Sequence, residues 1–210
     1  MNLFNLLPFI FPNECLFCGK ENEGSICKKC KSEIFVRGES KTQLNNKLFY
    51  LSIYKNNGEK LIEFLKKRKY FSLYFSLIPY LIEESLFLLN GEEFDFITSV
   101  PSLKFLSYIP EHLEVLSEEL SKKKNSKFLE LLTKTKKIKS QVTLSIQERH
   151  INPIGAFSIR RDYKDLIYGK RVLLIDDVYT TGSTLKECEK LIENYGGKVT
   201  SLVYSKAILY

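Results

Sequence analysis

The 210-residue sequence has no Gly/Ser-rich or Pro-rich linker and no period of a repeat family, which excludes a tethered array and a solenoid. Residues 1–11 are apolar but lack both a basic leading region and a small-residue cleavage site, so they do not read as a secretory signal. The expected location is the cytoplasm, with association at the inner face of the membrane allowed. Residues 70–89 are the one stretch apolar enough to raise a membrane question. Pro79 interrupts that stretch and Glu83 and Glu84 sit inside it, so a buried helix pair is expected and no transmembrane segment. The two histidines, His112 and His150, lack metal-like spacing and are assigned surface or capping roles. No G-K-[ST] follows Gly182, which removes the Walker phosphate loop.

What is present describes a folded protein with anionic partners. With 44% hydrophobic and 27% charged residues, the chain is too apolar for disorder, and its length suits one core of ordinary size with a small appendage. Lys and Arg total 32 against 25 Asp and Glu, a formal charge of +7. That excess favours nucleotides, nucleic acids or phospholipid surfaces without choosing among them.

The segment 171–185, R-V-L-L-I-D-D-V-Y-T-T-G-S-T-L, carries the chemistry. Residues 172–175 form an apolar run without alternation, the pattern of a strand buried on both faces of a parallel sheet. Asp176 and Asp177 end that run at the carboxyl edge, where open α/β sheets place ligands, and no basic residue before the next turn can pair with them. Thr180, Thr181, Gly182, Ser183 and Thr184 follow, and Leu185, Cys188, Leu191 and Ile192 then recur at helical spacing. A helix start offers unpaired N–H groups and a positive dipole end, Gly182 permits close backbone approach, and four hydroxyls add donors. A phosphate monoester suits that cradle, and the aspartates stand at the distance of the 2′- and 3′-hydroxyls of the same ribose. One capping residue would satisfy an ordinary helix start; five small or hydroxylated residues behind paired acids exceed that need.

Cys15, Cys18, Cys27 and Cys30 form two C-x-x-C pairs around a short polar spacer. Each pair can grip one side of a tetrahedron, so the set is read as a closed structural zinc site whose charge Lys28 and Lys29 help offset. Disulfides would require an oxidising compartment, and a redox C-x-x-C needs no twin. Cys188 stands alone on the helix after the loop and is read as a small core residue.

D-D-V-Y-T-T-G-S-T resembles the signature of the phosphoribosyltransferase fold family, in which a hydrophobic strand and two acids precede a T-T-G-x-T loop. The resemblance implies a type I phosphoribosyltransferase-like α/β fold, a mostly parallel sheet flanked by helices, and binding of phosphoribosyl pyrophosphate with Mg2+. Asp176 and Asp177 would take the ribose hydroxyls, directly or through magnesium, and Thr180, Thr181, Gly182, Ser183 and Thr184 the 5′-phosphate. With the cysteine module in front, the organisation is similar to the ComF family, the competence proteins of bacterial DNA uptake and their relatives. That family's strand, helix and lysine pattern resembles residues 50–54 followed by residues 61–66, ending on Lys66. Its acid-x-I-x-x-V-P segment resembles Asp95, Ile97, Val100 and Pro101. Its Q-to-F run resembles Gln141, Leu144, Arg149, Asn152, Gly155, Ala156 and Phe157.

Where relatives carry an R-G-F-N-Q-like sequence, this chain has S-Y-I-P-E-H at residues 107–112. Pro101, Ser102 and Lys104 are the candidates for a pyrophosphate loop, with Lys104 its one obvious cation. Transfer chemistry depends on stabilising the departing pyrophosphate, whereas ribose-phosphate binding does not, so the sequence supports binding and leaves catalysis open.

The expected strands lie near 49–54, 94–100, 127–132, 172–176 and 198–205, with a helix from Asn57 closed by Lys66, Lys67, Arg68 and Lys69 in a dipole-complementing role. The polar stretch 38–47 marks a boundary between a zinc knuckle at 1–40 and the phosphoribosyltransferase-like domain at 45–210. Lys134, Lys136, Lys137 and Lys139 fall in a polar loop that resembles the family's mobile hood and could meet pyrophosphate or a nucleic-acid backbone. Tyr163, Tyr168 and Tyr179 are the stacking candidates near the pocket. The leading functional expectation is a ComF-like protein that binds phosphoribosyl pyrophosphate and handles single-stranded DNA during natural transformation, with DNA-uptake proteins as partners. Its rivals are an active phosphoribosyltransferase acting on a base or amine and, third, a nucleotide-sensing regulator.

Overall fold

The computed structural model describes residues 14–21, 24–66, 71–101, 112–135 and 153–208, and for residues 71–75 the backbone alone. The continuous apolar run becomes strand β7 (Arg171–Tyr179), and Lys198–Lys206 becomes β8. Around them lie β1 (Gly38–Lys41), β2 (Lys47–Ile53), β3 (Phe96–Ser99) and β4 (Lys127–Phe128), in the order β1-β2-β8-β7-β3-β4. All neighbours are parallel except β1 and β2, which form an antiparallel hairpin at one edge.

Parallel strands bury both faces, and the alternation of side chains assigns each β7 residue to a layer. Leu173 and Ile175 join a core with Leu202, Tyr204 and the apolar stripes of α2 (Asn57–Lys66), α3 (Phe71–Leu88) and α4 (His112–Lys123). Val172 and Leu174 join a second core on the opposite face, with Leu185, Cys188 and Ile192 of α5 (Ser183–Asn194). Cys188 is fully buried there, the structural role expected of it.

The cysteine segment packs into the first of these cores. Cys15, Phe17, Ile26, Cys27 and Cys30 share it with Leu61, Leu65 and Leu81, and α1 (Lys28–Ile34) adds Ile34. Phe17 meets Phe64 edge to face at 5.5 Å between ring centroids. Glu84, buried on α3, holds Arg37 at 2.8 Å and Lys31 at 3.3 Å. A buried carboxylate needs such partners, and this one ties the cysteine segment to α3.

The stretch 38–47, polar because it lies at a sheet edge, folds as β1 and the turn into β2. Two expectations are revised. The expected strand at 127–132 divides. Lys127 and Phe128 pair with β3, but the Leu131 N–H turns to Thr98 Oγ1 at 3.3 Å, and β5 (Leu132–Lys134) pairs instead with β6 (Phe157–Ile159). An apolar run cannot announce which of two sheets it serves. Finally, 71–88 is one helix with Pro79 inside it and not a helix pair. The hydrogen bond lost at Pro79 is offset by packing, since Leu77, Ile78 and Leu81 are fully buried. Among the described residues, no helix is long and apolar enough to cross a membrane.

Candidate functional site

β7 outruns β3. Pairing with β3 stops at Ile175, whereas pairing with β8 continues to Tyr179, so Asp176 and Asp177 stand beyond the β3 end with one strand flank open. The alternation that sorts the apolar residues also sorts the acids, and consecutive side chains point to opposite faces. Asp176 follows Leu174 toward α5. It lines a recess with Tyr179, Thr180, Gly182, Ser183 and Thr184. Asp177 follows Ile175 toward the layer of α2 and α4, where Lys66 Nζ lies 2.8 Å and His112 Nε2 4.0 Å from its Oδ2. The two acids therefore reach around the strand end from both sides.

Gly182 turns the chain into α5 with φ of +77°, a left-handed conformation that glycine adopts without strain. A Cβ there would come within 2.5 Å of the Tyr179 ring, so Gly182 also makes room for that tyrosine. Thr181 and Ser183, both buried, share a hydrogen bond of 2.9 Å between hydroxyls. The loop is braced from the β1–β2 turn: Gln43 Nε2 donates to the Thr181 carbonyl, and Thr42 Oγ1 donates to Glu189 of α5 at 2.8 Å. Ser201 Oγ donates to the other Glu189 oxygen at 2.7 Å. Burial nevertheless pushes the Glu189 carboxyl upward.

Charge around the acids is unequal. Burial, and then the negative charge of Asp177, raises the Asp176 carboxyl to about 8, against the N–H of Asp177 and the ammoniums of Lys66 and Lys134. Lys134 is brought close by β5, and burial there pushes its ammonium down. Burial would lower Lys66 as well, but the Asp177 carboxylate overrides it and raises the group. The site therefore has a buried carboxyl pushed toward its neutral form on one side and an ion pair on the other.

The sequence offered no local cation for these acids; the fold supplies Lys66 from a helix 111 positions earlier by number and His112 from the start of α4. In the sequence alone both carry bland roles. The pattern marks Lys66 as a family-like lysine at a helix end, and nothing local distinguishes His112. His112 is well covered, its side chain 10% exposed, so of the two roles expected for it, surface or cap, the surface one falls away, and it stands at the first residue of α4. Tyr179 packs on Gly182, and Tyr163 packs against the second core. Tyr168 is exposed but leans on Gly196 before β7 begins, at the opposite sheet edge from the acids. It is therefore not beside the pocket. Pro101 follows the end of β3; Ser102, Lys104, Lys136, Lys137, Lys139, His150 and the segment 107–111 lie outside the described residues, as do Gln141, Leu144, Arg149 and Asn152.

The four cysteines converge. Their sulfurs all lie within 4.8 Å of one another, and Cys18 and Cys27 Sγ are 3.7 Å apart. Sulfurs about 2.3 Å from a tetrahedral zinc stand about 3.8 Å apart, whereas a disulfide needs about 2.05 Å. The donor set fits zinc. Backbone N–H groups of Cys27 and Cys30 point at Cys15 Sγ and Cys27 Sγ, each at 3.4 Å, an arrangement that favours thiolates. Burial works against the Cys15 thiolate, but the backbone N–H groups of Cys27, Phe17 and Cys18 lower that thiol to about 6. Burial raises Cys30.

Residues 6–41 match the family model described as "Double zinc ribbon domain", and residues 113–206 match "Phosphoribosyl transferase domain". Sheet, site and matches define the class: a type I phosphoribosyltransferase-like α/β protein with an N-terminal four-cysteine zinc module. More particularly, the chain is 38% identical over 84 residues to competence protein F of Haemophilus influenzae, covering 40% of this chain and 36% of that protein. With the two matched domains, that similarity bears out the ComF resemblance. The chain thus spans about a third of the length of that relative. It is also 28% identical over 116 residues to an adenine phosphoribosyltransferase of Lachnoclostridium phytofermentans, covering 55% of this chain and 59% of that one. A solved adenine phosphoribosyltransferase from Thermoanaerobacter pseudethanolicus overlaps at a TM-score of 0.43 and 21% identity, over 84% of this chain and 85% of that one.

Two outcomes follow. The Asp176 carboxyl holds a proton in the folded protein that the unfolded chain releases near the ordinary carboxyl value, so it favours folding at low pH and that contribution fades as pH rises toward about 8. Thermal melts of Asp176→Asn and wild type should therefore nearly coincide at low pH and separate by several degrees by pH 8, the variant being more stable. An unchanged difference across that range contradicts the buried-acid assignment. For the metal centre, protein purified under reducing conditions should carry about one zinc per chain, and stripping it with a chelator should lower the melting temperature of the whole protein. Metal-free protein with unaltered melting excludes a structural zinc.

Proposed function

We propose that this chain binds phosphoribosyl pyrophosphate at the end of β7 and handles single-stranded DNA in natural transformation. The observation that carries the ribose-phosphate reading is the recess shared by Asp176 and the Thr180, Gly182, Ser183 and Thr184 loop. There the N-terminus of α5 and the loop hydroxyls receive the 5′-phosphate, while Asp176 and Asp177 accept from the ribose hydroxyls. The carboxylates are hard oxygen donors suited to Mg2+, which would neutralise the ligand's pyrophosphate charge. Binding replaces the water-poor, proton-holding state of Asp176 with an ionised acceptor. Pro101, Ser102 and Lys104 are assigned to the pyrophosphate side.

Cys15, Cys18, Cys27 and Cys30 are assigned as the ligands of one structural zinc, and the functional division is a knuckle at 1–40 with a ribose-phosphate domain at 45–210. The DNA role draws on the similarity to competence protein F, the net charge of +7 and the lysine-rich segment that begins at Lys134. DNA-uptake proteins are its expected partners, at the cytoplasmic face of the membrane. A second reading, transfer of the phosphoribosyl group to a base or amine, is favoured by the intact D-D-V-Y-T-T-G-S-T and the similarity to adenine phosphoribosyltransferases. Release of pyrophosphate across a base panel separates it from binding alone.

Calorimetric titration with phosphoribosyl pyrophosphate and magnesium should show saturable binding that the Asp176→Ala, Asp177→Ala double variant loses. Binding that survives the double substitution contradicts the ligand assignment. Affinity for single-stranded oligonucleotides should fall steeply with added salt and exceed that of an unrelated protein of equal charge. Parity with that control would sink the DNA role.

A further inference from the structure

The ion pair between Lys66 and Asp177 has a consequence for which ligand the site prefers. Lys66 closes α2, where any cation would complement the helix dipole with its ammonium in water. That general role does not account for a contact of 2.8 Å with one of the two acids at the end of β7. Nor is the pair on the phosphate side. The recess of Gly182 and its hydroxyls lines up with Asp176, whereas Asp177 faces the other layer, where it meets Lys66 of α2 and His112 of α4. His112 also faces this carboxylate, at 4.0 Å, and the charges of Asp176 and Tyr54 act on the same ammonium, but Asp177 is the acid that holds it at contact distance.

We infer that Lys66 is a specificity-determining residue of the ribose-phosphate site: it neutralises Asp177 in the empty protein and passes to a second anionic group, carried at C1 of the ribose, when the ligand engages Asp177. This rests on the ribose-phosphate reading above. Ribose hydroxyls are donors, so they compete with the ammonium for the same carboxylate oxygens. Once displaced, the ammonium needs a new acceptor. The C1 hydroxyl of ribose 5-phosphate is a weak one, whereas the pyrophosphate of phosphoribosyl pyrophosphate supplies anionic oxygens at that carbon. Lys66 thereby contributes from α2 a positive charge to the pyrophosphate, in a chain whose sequence at 107–112, S-Y-I-P-E-H, contains no arginine.

The test is a pair of calorimetric titrations on the full chain in magnesium, one with phosphoribosyl pyrophosphate and one with ribose 5-phosphate, for wild type, Lys66→Gln and Lys66→Arg. Lys66→Gln should weaken phosphoribosyl pyrophosphate about tenfold or more, the usual worth of one charge-assisted hydrogen bond, while ribose 5-phosphate binds equally well or tighter. Lys66→Arg should keep most of the preference. Equal losses for both ligands would show that Lys66 only positions Asp177 and would overturn the inference, as would an unchanged ratio in Lys66→Gln. If wild type binds neither compound, the ribose-phosphate reading itself fails and takes this inference with it. Unchanged circular dichroism and zinc content in the variants exclude misfolding as the cause.

Discussion

Burial of β7 on both faces is the constraint from which the site follows. Leu173 and Ile175 commit one face to the α2, α3 and α4 layer, and Val172 and Leu174 commit the other to α5. Neither layer can shift without exposing apolar surface, at roughly 25 cal/mol for each Å2. The strand is thus held in register between β3 and β8, and the residues at its end are delivered to one place. The acids are positioned by hydrophobic packing that they do not take part in.

That same packing makes the acids expensive. Burial pushes the Asp176 carboxyl, 8% exposed, toward its protonated form, while Asp177 takes the ammonium of Lys66. An empty site with two bare carboxylates at the end of a buried strand would carry uncompensated charge in a poorly solvated setting. Protonation on one face and an ion pair on the other relieve it by different means.

The cysteine segment belongs to this economy of packing. Too short to bury a core of its own, it lends Phe17, Ile26 and Ile34 to the core beneath α2 and α3, and Glu84 holds it through Arg37 and Lys31. Because α2 also presents Lys66, the metal module and the acids lean on a common helix from opposite ends of the sequence. The loop of Thr180 to Thr184 has its own brace in the β1–β2 turn, through Gln43 and Thr42. Both supports come from the N-terminal third of the chain.

Local chemistry was legible in the sequence wherever neighbours along the chain are neighbours in space. The four-cysteine cluster, the buried strand, the acids and the hydroxyl-rich helix start all lie within short windows, and four of the five expected strands fall where periodicity placed them. The division of 127–132 between two sheets and the continuity of the helix through Pro79 were not legible, because each was decided by what the segment packs against. The same limit hid the partners of the acids. Sequence determined that Asp176 and Asp177 would stand together at a strand end before a hydroxyl-rich loop that opens a helix. Only the tertiary structure decided that they face opposite layers, and that Lys66 and His112 meet one of them, since charges far apart in sequence interact through the space between packed elements.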